Sequence, residues 1–183
     1  ATSGGKLKTV SSVASFFVSR IDTEVDPRLE KIGTPEALAL RGKAAIANAR
    51  AAYGLFLDRF RSEEWLRLAM VGGRVQRPLW ASTSTKNPNY DDTLYVTELV
   101  APHTVNTMPL ETVDGYQDHG LPLPQPFGPS DIEGAHRLLD ELEEVGVDMM
   151  DVTRLLEEQG VEKFSKSWED LLADVEKKRA AVA

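Results

Sequence analysis

The sequence predicts an α/β chain with a parallel sheet, and within that class a segment of a (β/α)8 barrel in preference to a closed domain. Three observations carry this. Short apolar runs at 13–18, 77–83 and 104–108 have strand character. Amphipathic helical stretches separate them, the alternation that produces parallel strands. Three parallel strands, each needing cover on both faces, are few for a closed α/β domain but suit part of a barrel. A chain of 183 residues, 42% of them apolar, is still long enough for a soluble domain with its own core.

The first run, Val13-Ala14-Ser15-Phe16-Phe17-Val18, lies between Ser11-Ser12 and Ser19-Arg20 and reads as a strand buried on both faces. Asp26-Pro27 and Thr34-Pro35 each set a capping side chain before a proline at a first helical position, and Gly33 closes the short helix between them. The second of these helices carries Leu38, Ala45, Ala49, Tyr53, Phe56 and Phe60 on one face and is expected to run to about Arg61. Ser62 caps a further short helix through Trp65, Leu66 and Ala69, ended by Gly72-Gly73. Arg77-Pro78-Leu79-Trp80-Ala81-Ser82-Thr83 is the second strand, with its polar residues gathered at the C-terminal end. Across 93–100 the Tyr, Val and Thr favour a strand while Asp91-Asp92 can cap a helix, and the balance falls to helix. Thr104-Val105-Asn106-Thr107-Met108 is the third strand, and Pro109 opens the helix after it. Four prolines at 122–129 mark a loop. From about residue 130 the chain reads as wholly helical. A capping box at Ser130-Asp131-Ile132-Glu133 starts one helix, a second runs from near Asp148 to Gly160, and a third carries Phe164, Trp168, Leu171, Leu172 and Val175 on one side.

Composition removes several function classes. There is no cysteine, so disulfides, zinc–thiolate sites and thiol catalysis are excluded, and a reducing compartment, the cytoplasm, is expected. A formal charge of −8 opposes the phosphate-neutralising surface that nucleic acids require. The longest apolar stretch falls far short of the roughly 20 residues of a membrane helix, so neither a nucleic-acid nor a membrane partner is expected. His103, His119 and His136 are scattered and have no metal-binding spacing, and no metal is expected. The start, Ala1-Thr2-Ser3-Gly4-Gly5, has no initiator methionine and no secretory core, and reads as the middle of a longer polypeptide.

In a (β/α)8 barrel reactive groups line the C-terminal ends of strands. Two segments have that character here. In the first, Ser15 lies in a strand and Arg20 follows where the strand gives way to a loop; a hydroxyl and a forked guanidinium suit a phosphate monoester. The alternative is a buried serine bonded to backbone and an arginine paired with Asp22 or Glu24. In the second, Ser82-Thr83-Ser84-Thr85-Lys86 can offer hydroxyls, backbone N–H groups and an ammonium to one anion, or can simply be a solvated turn. Neither segment is a glycine-rich nucleotide loop, so no ATP or dinucleotide is implied. Lys86 has polar neighbours, which do not lower an amine's pKa as a Schiff-base nucleophile requires. Trp80 and Trp168 are read as packing residues, and Asp148 and Asp151 as helix-capping or solvated.

Four ordered blocks carry a resemblance that extends over essentially the whole chain. They are Ser12-Val13-Ala14-Ser15-Phe16-Phe17-Val18-Ser19-Arg20-Ile21-Asp22-Thr23-Glu24, Gln76-Arg77-Pro78-Leu79-Trp80-Ala81-Ser82-Thr83-Ser84-Thr85-Lys86-Asn87-Pro88, Asp92-Thr93-Leu94-Tyr95-Val96 and Thr104-Val105-Asn106-Thr107-Met108-Pro109. The sequence resembles the transaldolase family in its actinobacterial and cyanobacterial branch. The resemblance implies a barrel of the class I aldolase type, with the three strands as its sixth, seventh and eighth and the whole of 1–183 as its C-terminal half. It implies a cofactor-free transfer of a dihydroxyacetone unit from sedoheptulose 7-phosphate to glyceraldehyde 3-phosphate, through a Schiff base on a lysine of the fourth strand. That strand is not among the three, so no catalytic residue is assigned to this chain. Ser15 and Arg20 match the family's sixth-strand serine and arginine, and Ser82 its seventh-strand serine, all as phosphate ligands. Where the better-known branch has an arginine two residues after that serine, this sequence has Ser84, and Lys86 is the candidate to replace its charge.

Two expectations about the chain's role follow. Either it is part of an enzyme, binding sugar phosphates and completed by an N-terminal half, or it is a non-catalytic half-barrel that covers its open strand edges by pairing with a second copy.

Overall fold

A computed structural model describes residues 7–121 and 125–181. They fall into two compact units, Ala1–Val147 and Asp148–Ala183. In the first unit, β1 (Ser12–Phe17), β2 (Gln76–Ala81) and β3 (Val105–Asn106) form a parallel sheet in the order β1-β2-β3. Ser12 lies opposite Gln76, Phe17 opposite Ala81, and Leu79 opposite Val105. The helices are α1 (Ser19–Ile32), α2 (Pro35–Ala39), α3 (Ala44–Arg59), α4 (Glu63–Met70), α5 (Leu94–Glu98), α6 (Leu110–His119) and α7 (Pro129–Glu144). The second unit is one helix, α8 (Met149–Ala181).

Side chains alternate across a strand, so the sheet has two faces with different fates. On one, Phe16 meets Trp80 edge-to-face at 5.8 Å, and Trp80, only 1% exposed, donates its Nε1–H to Leu99 O at 3.0 Å. Helix α3 belongs to the same core: its buried alanines 44, 45, 47, 49 and 51 let neighbouring elements approach closely, and Tyr53 and Phe56 fill the space beyond them. On the other face Val13 and Phe17 are each 39% exposed, and Ser15 between them is exposed too. The expected burial of β1 on both faces is therefore not met among the described residues. Its apolar composition fits a strand covered twice, but among the described residues only Phe16 is partly covered, and Ser12 and Ala14 on the same face are exposed.

Several helix boundaries differ from those expected. The helix expected to begin at Pro27 begins at Ser19 and runs through the proline. An interior proline costs about 3 kcal/mol. Ile21, Val25 and Leu29, all buried on one face of α1, return more than that at roughly 1.5–3 kcal/mol each. Asp26 is consequently no cap; its carboxylate accepts from Gly42 N, sixteen residues on. The single helix expected from Pro35 to about Arg61 is two, broken around Gly42, whose φ of 70° is left-handed. Helix α7 starts two residues earlier than its expected box, with Gly128 at the cap position, Pro129 at the first turn, and Asp131 accepting from Gly128 N at 2.8 Å. Gly160 does not end a helix but lies inside α8, where one glycine costs only about 1 kcal/mol.

Other expectations hold. Thr34 caps α2 by accepting from Ala37 N, Ser62 caps α4 by accepting from Trp65 N, and Gly33 closes α1 with φ 74°. The 93–100 stretch does contain a helix, α5. Asp148 accepts from Asp151 N in the first turn of α8. Trp80 is core, whereas Trp168 on α8 is 59% exposed. Part of the proline-rich loop, 122–124, lies outside the described residues.

Candidate functional site

The C-terminal ends of β1 and β2 are joined beyond the strands themselves. Val18 N donates to Ala81 O at 2.9 Å and Ser19 N to Ser82 O at 3.0 Å. The hydroxyls of Ser19 and Ser82 meet at 2.8 Å. Ser82 has φ 56°, a left-handed conformation that a residue with a Cβ adopts rarely and that clusters at functional sites. It turns the chain out of β2 directly beside the start of α1.

Arg20 stands in the first turn of α1, with its guanidinium carbon 4.9 Å from the centre of the Phe17 ring. Phe17 and Ser15 are two apart on β1 and share the uncovered face, so Arg20 lies over the same face as Ser15. Among the described residues Arg20 has no hydrogen bond or ion pair. The two carboxylates expected to compete for it are engaged elsewhere. Glu24 holds Arg28 at 2.8 Å, and Asp22 is buried with its oxygens on Ala45 N and Tyr95 OH. The structure thus gathers Ser15 and Arg20 on one open face and sets Ser82 against Ser19, the residue before Arg20.

Lys86 goes a different way. Its Nζ donates to Ser84 Oγ at 2.7 Å, and it lines a cavity of about 210 Å³ together with Asp22, Asp26, Glu30 and Tyr90. The two residues considered for the missing seventh-strand arginine are therefore bonded to each other, and the wall of the cavity that Lys86 lines carries three carboxylates.

That wall is the part of the neighbourhood the sequence reading passed over. Asp22 accepts from Ala45 N and from Tyr95 OH, both at 2.8 Å. Asp26 accepts from Gly42 N at 2.9 Å and from Tyr90 OH at 2.6 Å. Both aspartates are buried, at 3% and 7% exposure. Burial lifts the Asp22 carboxyl to about 6, against the opposing pull of the Ala45 N–H and the Tyr95 hydroxyl. Burial, then the hydrogen bond to Asp26, pushes the Tyr90 phenol up to about 12, and burial likewise raises Tyr95. A signal was present in the sequence: Val18, Asp22, Val25 and Leu29 follow the four-three-four spacing of a buried helix stripe, with a carboxylate where an apolar residue belongs.

No helix among the described residues is long and apolar enough to cross a membrane. A family model described as transaldolase/fructose-6-phosphate aldolase matches residues 3–175. The chain is 58% identical to a transaldolase of Thermobifida fusca over 179 residues, which is 97% of this chain and 48% of that protein. It is 56% identical to a transaldolase of Mycolicibacterium smegmatis over 169 residues, 92% of this chain and 45% of the relative. A transaldolase of Parafrankia sp. is 55% identical over 180 residues, 98% of this chain and 48% of the relative. The chain spans about half the length of these relatives. With its parallel strands alternating with helices, it belongs to the transaldolase/fructose-6-phosphate aldolase family of (β/α)8-barrel aldolases.

Proposed function

We propose that this chain is the substrate-phosphate-binding, C-terminal half of a transaldolase barrel, contributing its last three strands, with α7 and α8 as the helical segment that closes the half. The complete protein transfers a dihydroxyacetone unit from sedoheptulose 7-phosphate to glyceraldehyde 3-phosphate, and the Schiff-base lysine belongs to the other half. The observation that carries this reading is Arg20. An arginine just beyond a strand's C-terminal end, next in sequence to the Ser19–Ser82 hydroxyl pair and with its guanidinium over the Phe17 ring but in no hydrogen bond or ion pair among the described residues, offers a phosphate dianion two N–H groups at once. Ser15 and Ser82 supply hydroxyl donors. Lys86, held on Ser84, adds positive charge at the rim without direct contact.

A second reading draws on β1, whose outer edge pairs with no strand among the described residues. Such an edge can pair with a second copy of the chain to make a non-catalytic module.

One experiment separates the two. The chain is co-expressed with the N-terminal half of the Thermobifida fusca relative, then treated with fructose 6-phosphate and borohydride and read by intact mass. The expected result is transaldolase activity, with the reduced dihydroxyacetone adduct on the N-terminal polypeptide. Arg20→Ala should cut kcat/KM by about 10- to 100-fold, the worth of a charge-assisted pair of hydrogen bonds. An adduct on a lysine of this chain would overturn the division of roles. A stable homodimer that gains no activity would favour the second reading.

A further inference from the structure

The β2–α5 connection, residues 82–93, carries Ser82, Ser84 and Lys86, while Arg20 is on α1. A phosphate held between Ser82 and Arg20, with Lys86 at the rim, depends on how far that connection stands from α1. Bonds inside the connection set its local shape: Tyr90 N donates to Asn87 O, Asn89 N to Asn87 Oδ1, and Thr93 N to Asp91 Oδ1. None of these fixes its place against α1. At its start Thr83 Oγ1 donates to Asn106 Oδ1, which ties it to β3 on the other side. Beyond the Ser19–Ser82 contact, the hydrogen bonds to α1 are Tyr90 OH to Asp26 and, from α5, Tyr95 OH to Asp22.

From these contacts, and resting on the phosphate-site reading above, we infer that Asp22 and Asp26 are positioning residues for that site. Through Tyr95 and Tyr90 they hold the 82–93 connection against α1 and so set where Ser82 and Lys86 stand relative to Arg20. Each aspartate divides its two oxygens in the same way, one to a backbone N–H in or just before the first turn of α3 and one to a tyrosine hydroxyl. Three segments are thereby pinned to one helix. Tyr90 is closely seated as well: a Cβ added to Gly42 would come within 2.8 Å of its Cζ, so the phenol ring rests on the glycine Cα. Taking two carboxylates four residues apart out of water is costly, and apolar side chains would fill the space at lower cost. Directional bonds to two hydroxyls are what carboxylates supply here and apolar groups do not.

The test uses the whole chain, with fructose 6-phosphate as the probe. Tyr90→Phe keeps the ring and removes one hydroxyl. Amide hydrogen exchange of residues 84–90 should rise about tenfold while that of β1 is unchanged, and affinity for fructose 6-phosphate should fall about fivefold, the equivalent of one hydrogen bond. Asp26→Ala should lose as much affinity, and Asp26→Asn, which retains an acceptor for Gly42 N and a partner for Tyr90, should recover most of it. Asp26→Leu, which fills the space without an acceptor, should recover none of it, and recovery there would mean a packing role and overturn the positioning one. Unchanged exchange in 84–90 overturns the anchoring, and a loosened connection with unchanged affinity overturns the positioning role. An unsubstituted chain that binds no fructose 6-phosphate sinks the phosphate-site reading and this inference with it, and is recognised because no substitution is needed to see it.

Discussion

Asp22→Asn removes a titrating group while keeping nearly the same heavy atoms in place, and its effect on stability can be worked through with its sign. The folded carboxyl sits at about 6, whereas its ordinary value is 3.8. Between those two pH values folded Asp22 holds a proton that the unfolded chain has released, so stability falls as pH rises through the window. The favourable contribution is complete below about pH 3.8 and gone above about pH 6. At roughly 1.4 kcal/mol per pH unit the displacement amounts to about 3 kcal/mol, most of which falls between pH 4 and pH 7. Asparagine does not titrate. Urea unfolding followed by circular dichroism from pH 4 to pH 8, on both proteins, should therefore give a stability difference that moves against the parent chain by that amount up to pH 7 and is level above it. A flat difference would mean that the hydrogen bonds from Ala45 and Tyr95 cancel the burial. A difference moving the other way would mean that they exceed it, and the account of Asp22 as a carboxylate dominated by desolvation would be wrong.

Two further substitutions probe the core and the break between α2 and α3. Trp80→Phe takes away the Nε1–H that satisfies Leu99 O and opens space beside Phe16; a loss of about 2 kcal/mol is expected in the same unfolding assay, and no loss would show that the buried indole is not a packing centre. Gly42→Ala forces a Cβ into a φ of 70° and against the Tyr90 ring. It should cost at least about 1–2 kcal/mol in stability and loosen residues 84–90 by hydrogen exchange, and an indifferent protein would show that the ring does not rest there.

What the sequence made legible was what neighbouring residues decide among themselves. Thr34 before Pro35, Ser62 three residues before Trp65, and Gly33 after Ile32 are local devices, and each acts in the structure as read. The three strands were legible for the same reason, since turn residues and prolines flank their apolar runs. Where the reading failed, a distant partner had decided. Pro27 stayed within α1 because the stripe of Ile21, Val25 and Leu29 is buried, and α2 separated from α3 where Gly42 N meets a carboxylate sixteen residues earlier in the chain. The site divides likewise. Ser15 and Arg20 can be paired from a motif six residues long, but local sequence offers Asp22 only as a partner for Arg20 and Asp26 only as a helix cap, because their hydroxyl partners, Tyr95 and Tyr90, lie 73 and 64 residues away.

The uncovered face of β1 links the fold to the proposed role. Val13 and Phe17 on that face are apolar and each 39% exposed, and the serine between them is the one assigned to phosphate. Exposing such a strand costs stability that covering it would restore, at roughly 25 cal/mol for each Å² of apolar surface removed from water. On the proposed reading the element that covers this face is the remainder of the barrel, so a single association both buries Val13 and Phe17 and encloses Ser15 and Arg20. Enclosure lowers the local dielectric and strengthens each charge-assisted bond to a phosphate. Stability and sugar-phosphate affinity are then two measures of one event. Adding the N-terminal half should raise both together, whereas pairing of two copies along the edge of β1 would raise stability and leave affinity where it was.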